Sequence, residues 1–197
     1  MAAVTALQGL RDQGQIQPGQ KVLINGASGG VGTFAVQIAK SFGAEVTGVC
    51  STRNLDLVRS IGADHVIDYT QEDFTKNGQH YDLIFDVASN RSASDHKRAL
   101  SPNGICVVAG FTTMSHLLFQ VVFLGSWISM TGSKNLGTMG SAVANQKDLL
   151  FIKELLETGK VVPVIDRRYP LSETAEAVRY LEGGHAQGKV VITVEHN

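Results

Sequence analysis

The sequence is poor in cysteine and in net charge, and each shortage excludes a class of protein. Only two cysteines occur in 197 residues; Cys50 and Cys106 lie in predicted buried strands and show no CxxC spacing. This usage favours a reducing compartment and argues against a zinc lobe built by this chain. The formal net charge of −1 provides no electrostatic basis for binding nucleic acid or an anionic membrane.

The sequence also lacks a long apolar run. The most apolar window, residues 117–130, is short and is interrupted by Gln120, Ser126 and Ser129, so we predict that it does not span a bilayer. The first residues lack the basic segment and the apolar segment of a secretory signal. We therefore predict a soluble protein of the cytoplasm, and an organelle lumen is the other compartment that fits. Apolar residues make up 43% of the chain, which is enough to form one core.

One stretch, residues 21–42, reads as a buried strand, a glycine turn and a helix in direct succession. The turn contains four glycines: Gly26, Gly29, Gly30 and Gly32. Gly29 would let a phosphate approach the amino end of the helix, where free N–H groups point outward, and Gly32 would let the helix pack closely on the strand. Ala27 occupies the first position of the GxGxxG pattern, so the match is AxGxxG. The stretch predicts dinucleotide binding, with a purely structural turn as the alternative.

Strands and helices alternate through most of the remaining chain. After a first helix that ends near Gly14, strands are predicted at residues 22–24, 45–50, 64–69, 81–88 and 105–110, with helices at 55–61 and 92–100. Asn54 is predicted to cap the helix at 55–61. Continuously apolar strands that alternate with helices indicate a parallel sheet covered on both faces. We predict an α/β fold with a doubly wound, mainly parallel six-stranded sheet and helices on both faces.

The pattern is weaker from residue 111 onward. Residues 111–126 fit either a helix or an apolar loop, residues 127–132 fit a sixth strand, and residues 133–144 fit a loop of small residues. Further predictions are a helix at 148–158, an extended piece at 161–165, a helix at 172–182 capped by Ser172, and a strand at 189–194.

The end of the second strand bears on the choice of cofactor. NAD-specific sites usually carry an acidic residue there, and this chain has Ser51, Thr52 and Arg53 instead. The Arg53 guanidinium suits a 2′-phosphate, so NADPH is predicted in preference to NADH. Arg53 as a solvated charge is the alternative. Tyr69 fits either a hydroxyl donor to the same phosphate or a packing residue at the sheet edge.

The sequence resembles the medium-chain dehydrogenase/reductase superfamily, and within it the zinc-independent quinone oxidoreductase-like branch. The matching segments include VLINGASGGVG, STRN, GADHVIDY, FDVAS and the C-terminal stretch from GKVVPVIDRRYPL to QGKVVI. The resemblance implies a Rossmann-type fold and an NADPH-dependent oxidoreductase that transfers hydride to a quinone, an enone or a related carbonyl compound.

The resemblance also implies where the cofactor would bind. Its contacts would fall on Ala27, Ser28, Gly29, Gly30, Val31 and Gly32 at the glycine turn, on Ser51, Thr52, Arg53 and Tyr69 around the 2′-phosphate, on Val87 and Ala88 at the adenosine side, on Ala109, Gly110 and Phe111 at the nicotinamide, and on Lys189.

One departure from the family concerns domain organisation. We expect a single cofactor domain over residues 1–197, with a hinge helix at 1–19, a nucleotide-binding core at 20–133 and C-terminal helices and a strand at 134–197. The family's GroES-like substrate domain has no counterpart in the chain. Ala2 and Ala3 stand where zinc-dependent relatives have a cysteine ligand, so no metal is expected. The predicted strand at 127–132, from Trp127 to Gly132, resembles the edge through which such domains form homodimers.

Two other functions fit part of the sequence. The turn also fits the GxxxGxG pattern of short-chain dehydrogenases, which require a lysine four residues after a catalytic tyrosine. The residues at that spacing after the four tyrosines are Asp73, Phe85, Glu173 and Gly184, so this class is disfavoured. No general acid is evident, and the catalytic residues are left unassigned. An NADPH-binding module or fragment without turnover of its own is therefore the alternative function.

Overall fold

The structure is a computed structural model that describes residues 1–110 and 136–194. The strands of its main sheet are β1 (Lys21–Asn25), β2 (Glu45–Cys50), β3 (His65–Asp68), β4 (Tyr81–Asp86), β5 (Leu100–Val108) and β6 (Leu136–Thr138). All neighbouring strands are parallel, in the order β3-β2-β1-β4-β5-β6. The predicted doubly wound parallel sheet is confirmed. Its winding reverses between β1 and β4, where such sheets bind ligands beyond the carboxyl ends of their strands.

The helices cover both faces of this sheet. They are α1 (Ala2–Gln8), which continues as a π-helical turn (Gly9–Gln13), α2 (Gly32–Ser41), α3 (Leu55–Ser60), α4 (Ala93–Ala99) and α5 (Gln146–Glu157). A sixth helix, α6 (Thr174–Glu182), packs instead against the small C-terminal sheet. Val22 and Ile24 belong to the apolar cluster that contains side chains of α1, α2 and α5, whereas Leu23 belongs to the cluster that includes Ala99 of α4. Because successive side chains of a strand point to opposite faces, β1 is buried on both sides, as its apolar run predicts.

The C-terminal residues form a second, smaller sheet. Strands β7 (Ile165–Pro170) and β8 (Lys189–Thr193) pair in parallel and are connected through α6. The strand at 189–194 was predicted, but β7 was not, since it is short, largely exposed and carries three successive charged residues. Of the extended piece predicted at 161–165, residues 161–164 precede β7 and Ile165 is its first residue.

Several other local predictions were wrong or lie outside the described residues. The loop predicted at 133–144 contains β6, a three-residue edge strand too short to show a pattern. β5 begins at Leu100, directly after α4, because a register shift lets the turn before Ile105 join the strand. Ser172 lies in a 3₁₀ turn and does not cap α6. The predictions for residues 111–132, including the dimer strand, fall outside the described part of the chain.

Candidate functional site

A cleft of about 650 Å³ opens at the carboxyl ends of β1, β2, β3 and β4. One wall is the glycine turn between β1 and α2, and the opposite wall is formed by Gly184, His185, Ala186 and Lys189, in the segment that leads into β8. The cleft therefore lies at the reversal point of the sheet, between the two sheets of the protein.

The glycine turn is fixed by hydrogen bonds to β2. The N–H groups of Gly26 and Ala27 both donate to the carbonyl oxygen of Val49, at 3.1 and 3.0 Å, and Gly26 has a φ of +81° that favours glycine. A Cβ at Gly32 would overlap the Gly26 carbonyl, so α2 packs against the turn only because residue 32 has no side chain. A Cβ at Gly29 would lie 3.5 Å from the same oxygen, an ordinary contact. The absence of a side chain at Gly29 is thus not required by internal packing.

The amino end of α2 faces this turn without a side-chain cap. Uncapped N–H groups and the positive end of the helix dipole favour an anion at this position. The helix spans ten residues, and its first residues are buried beneath the turn.

The opposite wall brings a lysine over the glycine turn. The N–H of Gly188 donates to the Ser28 carbonyl oxygen at 2.9 Å, which ties this wall to the turn. A Cβ at Gly30 would lie 3.2 Å from the Lys189 ammonium nitrogen, so the lysine side chain passes directly over Gly30. Arg53 donates a longer hydrogen bond, 3.4 Å, to the carbonyl oxygen of His185 in the same wall.

Asn54 connects the two walls from below. Its side-chain nitrogen donates to the hydroxyl oxygens of Ser28, at 2.9 Å, and Ser51, at 3.2 Å, while its oxygen accepts from Gln187 at 2.8 Å. Asn54 occupies the N-cap position of α3, as predicted, but it makes no side-chain capping bond: the residue is 5% exposed, and its side chain points to the serines instead of the helix N–H groups. Sequence spacing gave no signal for these contacts, because Gln187 lies 133 residues away.

The charge of the lining has one sign. Arg53, Arg91 and Lys189 line the cleft, and none of the described residues in the lining is an aspartate or a glutamate. Arg91 was not predicted as a site residue. Its guanidinium lies 3.2 Å from the Asp73 carboxylate, which is outside the lining. Burial raises the pKa of Asp73, but hydrogen bonds from Thr75 and the charge of Arg91 outweigh this effect and leave the pKa below its ordinary value.

The ends of β1 and β4 form a third side of the cleft, and a buried Asp–His pair lies behind them. The Asp86 carboxylate contacts His96 Nε2 at 2.7 Å, and both side chains are almost fully buried. The other carboxylate oxygen accepts from the Asn25 amide at 2.8 Å and from the Ala88 N–H at 3.1 Å. Since Asn25 and Ala88 both line the cleft, the pair fixes the ends of β1 and β4 relative to each other.

Cys50 also lines the cleft, but its thiol is not activated. Burial is the main cause that raises the pKa of Cys50 to about 11, with a smaller contribution from Asp68. The thiolate form required of a nucleophile is therefore disfavoured at neutral pH. Among the described residues, no group of three or more His, Cys, Asp or Glu side chains is arranged to hold a metal ion.

The structure brings most of the predicted site residues together. Those that line the cleft are Ser28, Gly29, Gly30, Val31, Ser51, Arg53, Tyr69, Val87, Ala88 and Lys189. Ala27 and Gly32 are buried beneath the turn, and the Thr52 hydroxyl bonds to Asp68 at 2.5 Å outside the lining. Ala109 and Gly110 follow β5 outside the lining; Ala109 donates to the Asp86 carbonyl at 2.8 Å. Phe111 lies outside the described residues.

Comparison with known families shows to which family the chain belongs. The profile of a family described as zinc-binding dehydrogenase matches residues 61–192. The chain belongs to this family. Within the medium-chain dehydrogenase/reductase superfamily, it is a member of the quinone oxidoreductase-like branch, as the resemblance predicted.

Individual relatives agree with the family. The chain is 38% identical to the mouse mitochondrial NAD(P)H oxidoreductase RTN4IP1, over 98% of this chain and 52% of the relative. It is 36% identical to the chloroplastic quinone-oxidoreductase QR1 of Triphysaria versicolor, over 89% of this chain and 53% of the relative. The structure of a quinone oxidoreductase from Coxiella burnetii superposes with a TM-score of 0.82 and 30% identity, over 99% of this chain and 59% of that one. The chain spans about half the length of the curated relatives it matches.

The family and the individual relatives bear on two predictions, the type of domain and the cellular location. The chain is the NAD(P)-binding domain of an NAD(P)H-dependent oxidoreductase family. The predicted cytoplasmic location was wrong, since relatives matched over nearly the whole chain are mitochondrial or chloroplastic proteins. In the described part of the chain, every helix is too short or too polar to cross a membrane.

The cleft of this family member fits a nicotinamide dinucleotide. Gly29 leaves open space beside the amino end of α2, and three cations and the serines Ser28 and Ser51 line the cleft. A dinucleotide phosphate carries several negative charges and only hydrogen-bond acceptors at its phosphoryl oxygens, which this lining matches.

Proposed function

We propose that the chain binds NADPH in this cleft and serves as the cofactor domain of an oxidoreductase that reduces quinones, enones or related carbonyl compounds. The observation that carries the proposal is a glycine turn at the amino end of a helix, inside a cleft lined by three cations and by no carboxylate of the described residues. The 2′-phosphate distinguishes NADPH from NADH, and a cationic lining without carboxylates favours the more negative ligand.

The pyrophosphate is assigned to the glycine turn. Gly29, Gly30 and Val31 line the cleft beside the amino end of α2, and Lys189 lies over Gly30 from the opposite wall. The helix would supply N–H donors from one side and the lysine a positive charge from the other.

The 2′-phosphate is assigned to the end of β2. Ser51 and Arg53 line the cleft there, and Tyr69, at the end of the neighbouring β3, is 57% exposed with its ring in the same lining. A guanidinium pairs with a phosphate through charge-assisted hydrogen bonds, and no acidic residue stands at this strand end to bind the free hydroxyl of NADH. Val87 and Ala88 form the adjoining wall.

When bound, the nicotinamide would supply the hydride, and the protein would orient the ring and exclude water. Asp86, Asn25 and His96 hold the ends of β1 and β4 in place beside the cleft. Residues 109–111 remain our assignment for the nicotinamide side, although Ala109 and Gly110 lie outside the lining.

A second candidate function is binding without turnover. Among the described residues of the cleft, no carboxylic acid and no activated thiol is available to protonate or attack an acceptor. The chain also spans about half the length of its curated relatives. We propose that the purified chain binds NADPH and reduces quinones only slowly on its own.

Parallel calorimetric titrations with NADPH and NADH test the proposal. We expect NADPH to bind at least about tenfold more tightly, since each hydrogen bond to a charged group contributes about 1.5–3 kcal/mol. Equal affinities would contradict the 2′-phosphate site, and no binding of either nucleotide would contradict the function. A steady-state assay with a soluble quinone separates the two candidates, because rapid turnover by the purified chain would exclude binding alone.

A further inference from the structure

Asn54 lies beneath both proposed phosphate subsites and contacts a serine in each. Ser28 belongs to the glycine turn, and Ser51 follows β2 beside Arg53. The Asn54 side-chain nitrogen donates to the hydroxyl oxygens of both serines, at 2.9 and 3.2 Å. Since Asn54 is 5% exposed, these bonds are shielded from water.

The chemistry of the amide sets the direction of both hydroxyl groups. An amide nitrogen carries two hydrogens, one for each serine, and each serine oxygen that accepts one of them keeps its own hydrogen to donate elsewhere. Within residues 1–110 and 136–194, neither hydroxyl has an acceptor in hydrogen-bond range. Because both serines line the cleft, their O–H groups are available to a ligand there.

Gln187 matches this orientation of the amide. Its side-chain nitrogen donates to the Asn54 oxygen at 2.8 Å, so reversal of the Asn54 amide alone would place two N–H groups against each other. The backbone N–H of Gln187 donates to Asp166 at 2.9 Å, which fixes the position of Gln187 beside the opposite wall. Gln187 does not line the cleft.

We propose that Asn54 is a positioning residue that turns the Ser28 and Ser51 hydroxyls into donors toward the phosphates of the nucleotide, and that Gln187 holds Asn54 in this orientation. The inference rests on the proposed function, since it assigns these serines to phosphoryl oxygens, which only accept hydrogen bonds. Asn54 itself lines the cleft, and its side-chain amide acts on the phosphates through the two serines.

The Asn54→Asp variant replaces the group that donates to Ser28 and Ser51 with a group that accepts, without changing the size of the side chain. A carboxylate accepts hydrogen bonds from both serines and draws their hydrogens away from the cleft, and it also adds a negative charge. We expect NADPH to bind about 100-fold more weakly, because two hydrogen bonds to charged groups are lost. The Asn54→Ala variant, which leaves both hydroxyls free to rotate, should weaken binding only about threefold.

A double-mutant cycle separates two effects of Asn54→Asp, the reversal of the serine hydrogen bonds and the added negative charge. In the Ser28→Ala/Ser51→Ala background there are no hydroxyls to turn, so Asn54→Asp should weaken NADPH binding by about tenfold or less, the effect of its charge alone. The Ser28→Ala and Ser51→Ala backgrounds each give the contribution of one serine to NADPH binding. The contribution of Ser51 should be absent when NADH is the ligand. Equal losses in the wild-type and double-alanine backgrounds would overturn the inference.

The Gln187→Glu variant tests the same point from outside the cleft. A carboxylate at position 187 accepts from the Asn54 nitrogen and so favours the reversed amide. We expect NADPH binding to weaken about tenfold, with little change once both serines are alanine. Thermal denaturation checks that each variant folds. If Asn54→Asp does not fold, the Gln187→Glu variant provides the test. Absence of NADPH binding by the wild-type chain would overturn the proposed function together with this inference.

Discussion

The two walls of the cleft are built differently. The glycine turn follows β1, which with β2 and β4 is buried on both faces, whereas α6, which precedes the opposite wall, buries only Ala177 and leaves Val178 and Leu181 about half exposed. Hydrogen bonds such as those of Gly188 and Gln187 hold the second wall against the first. The first wall is therefore fixed by the core of the protein, and the second by individual polar contacts that a single substitution can remove.

The largest effect is expected where the first wall depends on packing. Gly32→Ala should lower the free energy of unfolding by about 3 kcal/mol, because its Cβ would overlap the backbone carbonyl of Gly26, which cannot rotate away. Chemical denaturation measures this loss.

Gly29 provides the matched control three residues earlier. The Cβ that Gly29→Val adds meets only an ordinary contact, with the Gly26 carbonyl oxygen, so we expect a much smaller loss of stability than for Gly32→Ala. Its branched side chain would occupy the space assigned to the pyrophosphate and abolish NADPH binding. Unchanged NADPH affinity in the folded Gly29→Val protein would show that the turn is structural only.

The next effect concerns the 2′-phosphate. Arg53→Glu should weaken NADPH binding about 100-fold and NADH binding much less, because a cation that pairs with the extra phosphate is replaced by an anion. Titration of both nucleotides measures the difference. Equal losses for the two would remove Arg53 from the 2′-phosphate site.

The first wall was predictable because its signals are local. A buried strand, four glycines and an amphipathic helix follow one another in residues 21–42, and tight turns of this type depend on neighbours in sequence. The same reasoning located β2 to its exact bounds and β4 to within two residues. Strands buried on both faces have few other ways to satisfy their apolar side chains.

The rest of the cleft was mostly not predictable because it depends on distant contacts. Asn54 reads as a helix cap from its neighbours, and only the folded chain brings Gln187 to it. Arg91 looks like a surface charge until the loops after β3 and β4 meet at Asp73. His96 gave no sign of its pairing with Asp86, since ten residues separate them and neither spacing nor composition marks the pair.

A smaller effect should follow from loosening the second wall. Asp166 accepts hydrogen bonds from the Tyr180 hydroxyl at 2.6 Å and from the Gln187 N–H at 2.9 Å. Asp166→Ala removes both hydrogen bonds to this carboxylate and should weaken NADPH binding about threefold to tenfold, because these bonds hold the second wall without contacting the nucleotide. Calorimetry measures the change, and Glu176→Ala is the control, because Glu176 pairs with Arg179 on the exposed side of α6. An Asp166→Ala protein with wild-type affinity would show that this wall is held by other contacts.

The smallest effect on binding is expected far from both walls, at Asp148. Its buried carboxylate accepts from Gln8, Arg11 and Asn145 and so joins α1 to α5. Burial raises the pKa of Asp148, but the hydrogen bonds of these three residues and the charge of Arg11 lower it further, so the net shift is downward. A carboxyl whose pKa is lower in the folded state stabilises the protein above its unfolded pKa of about 3.9 and loses this contribution as the pH falls through the folded value.

Asp148→Asn should therefore reduce stability by about 1–2 kcal/mol at pH 7, and the difference from the wild type should shrink as the pH falls below about 4. Urea denaturation between pH 7 and pH 3 measures this convergence. Asp56→Asn is the control, since Asp56 is fully exposed and pairs only with Arg59 one turn away, and it should change stability little at any pH. NADPH affinity should be unchanged in both variants, because neither residue lines the cleft. A loss of affinity in Asp148→Asn would mean that the core and the cleft are coupled more tightly than the contrast between the two walls implies.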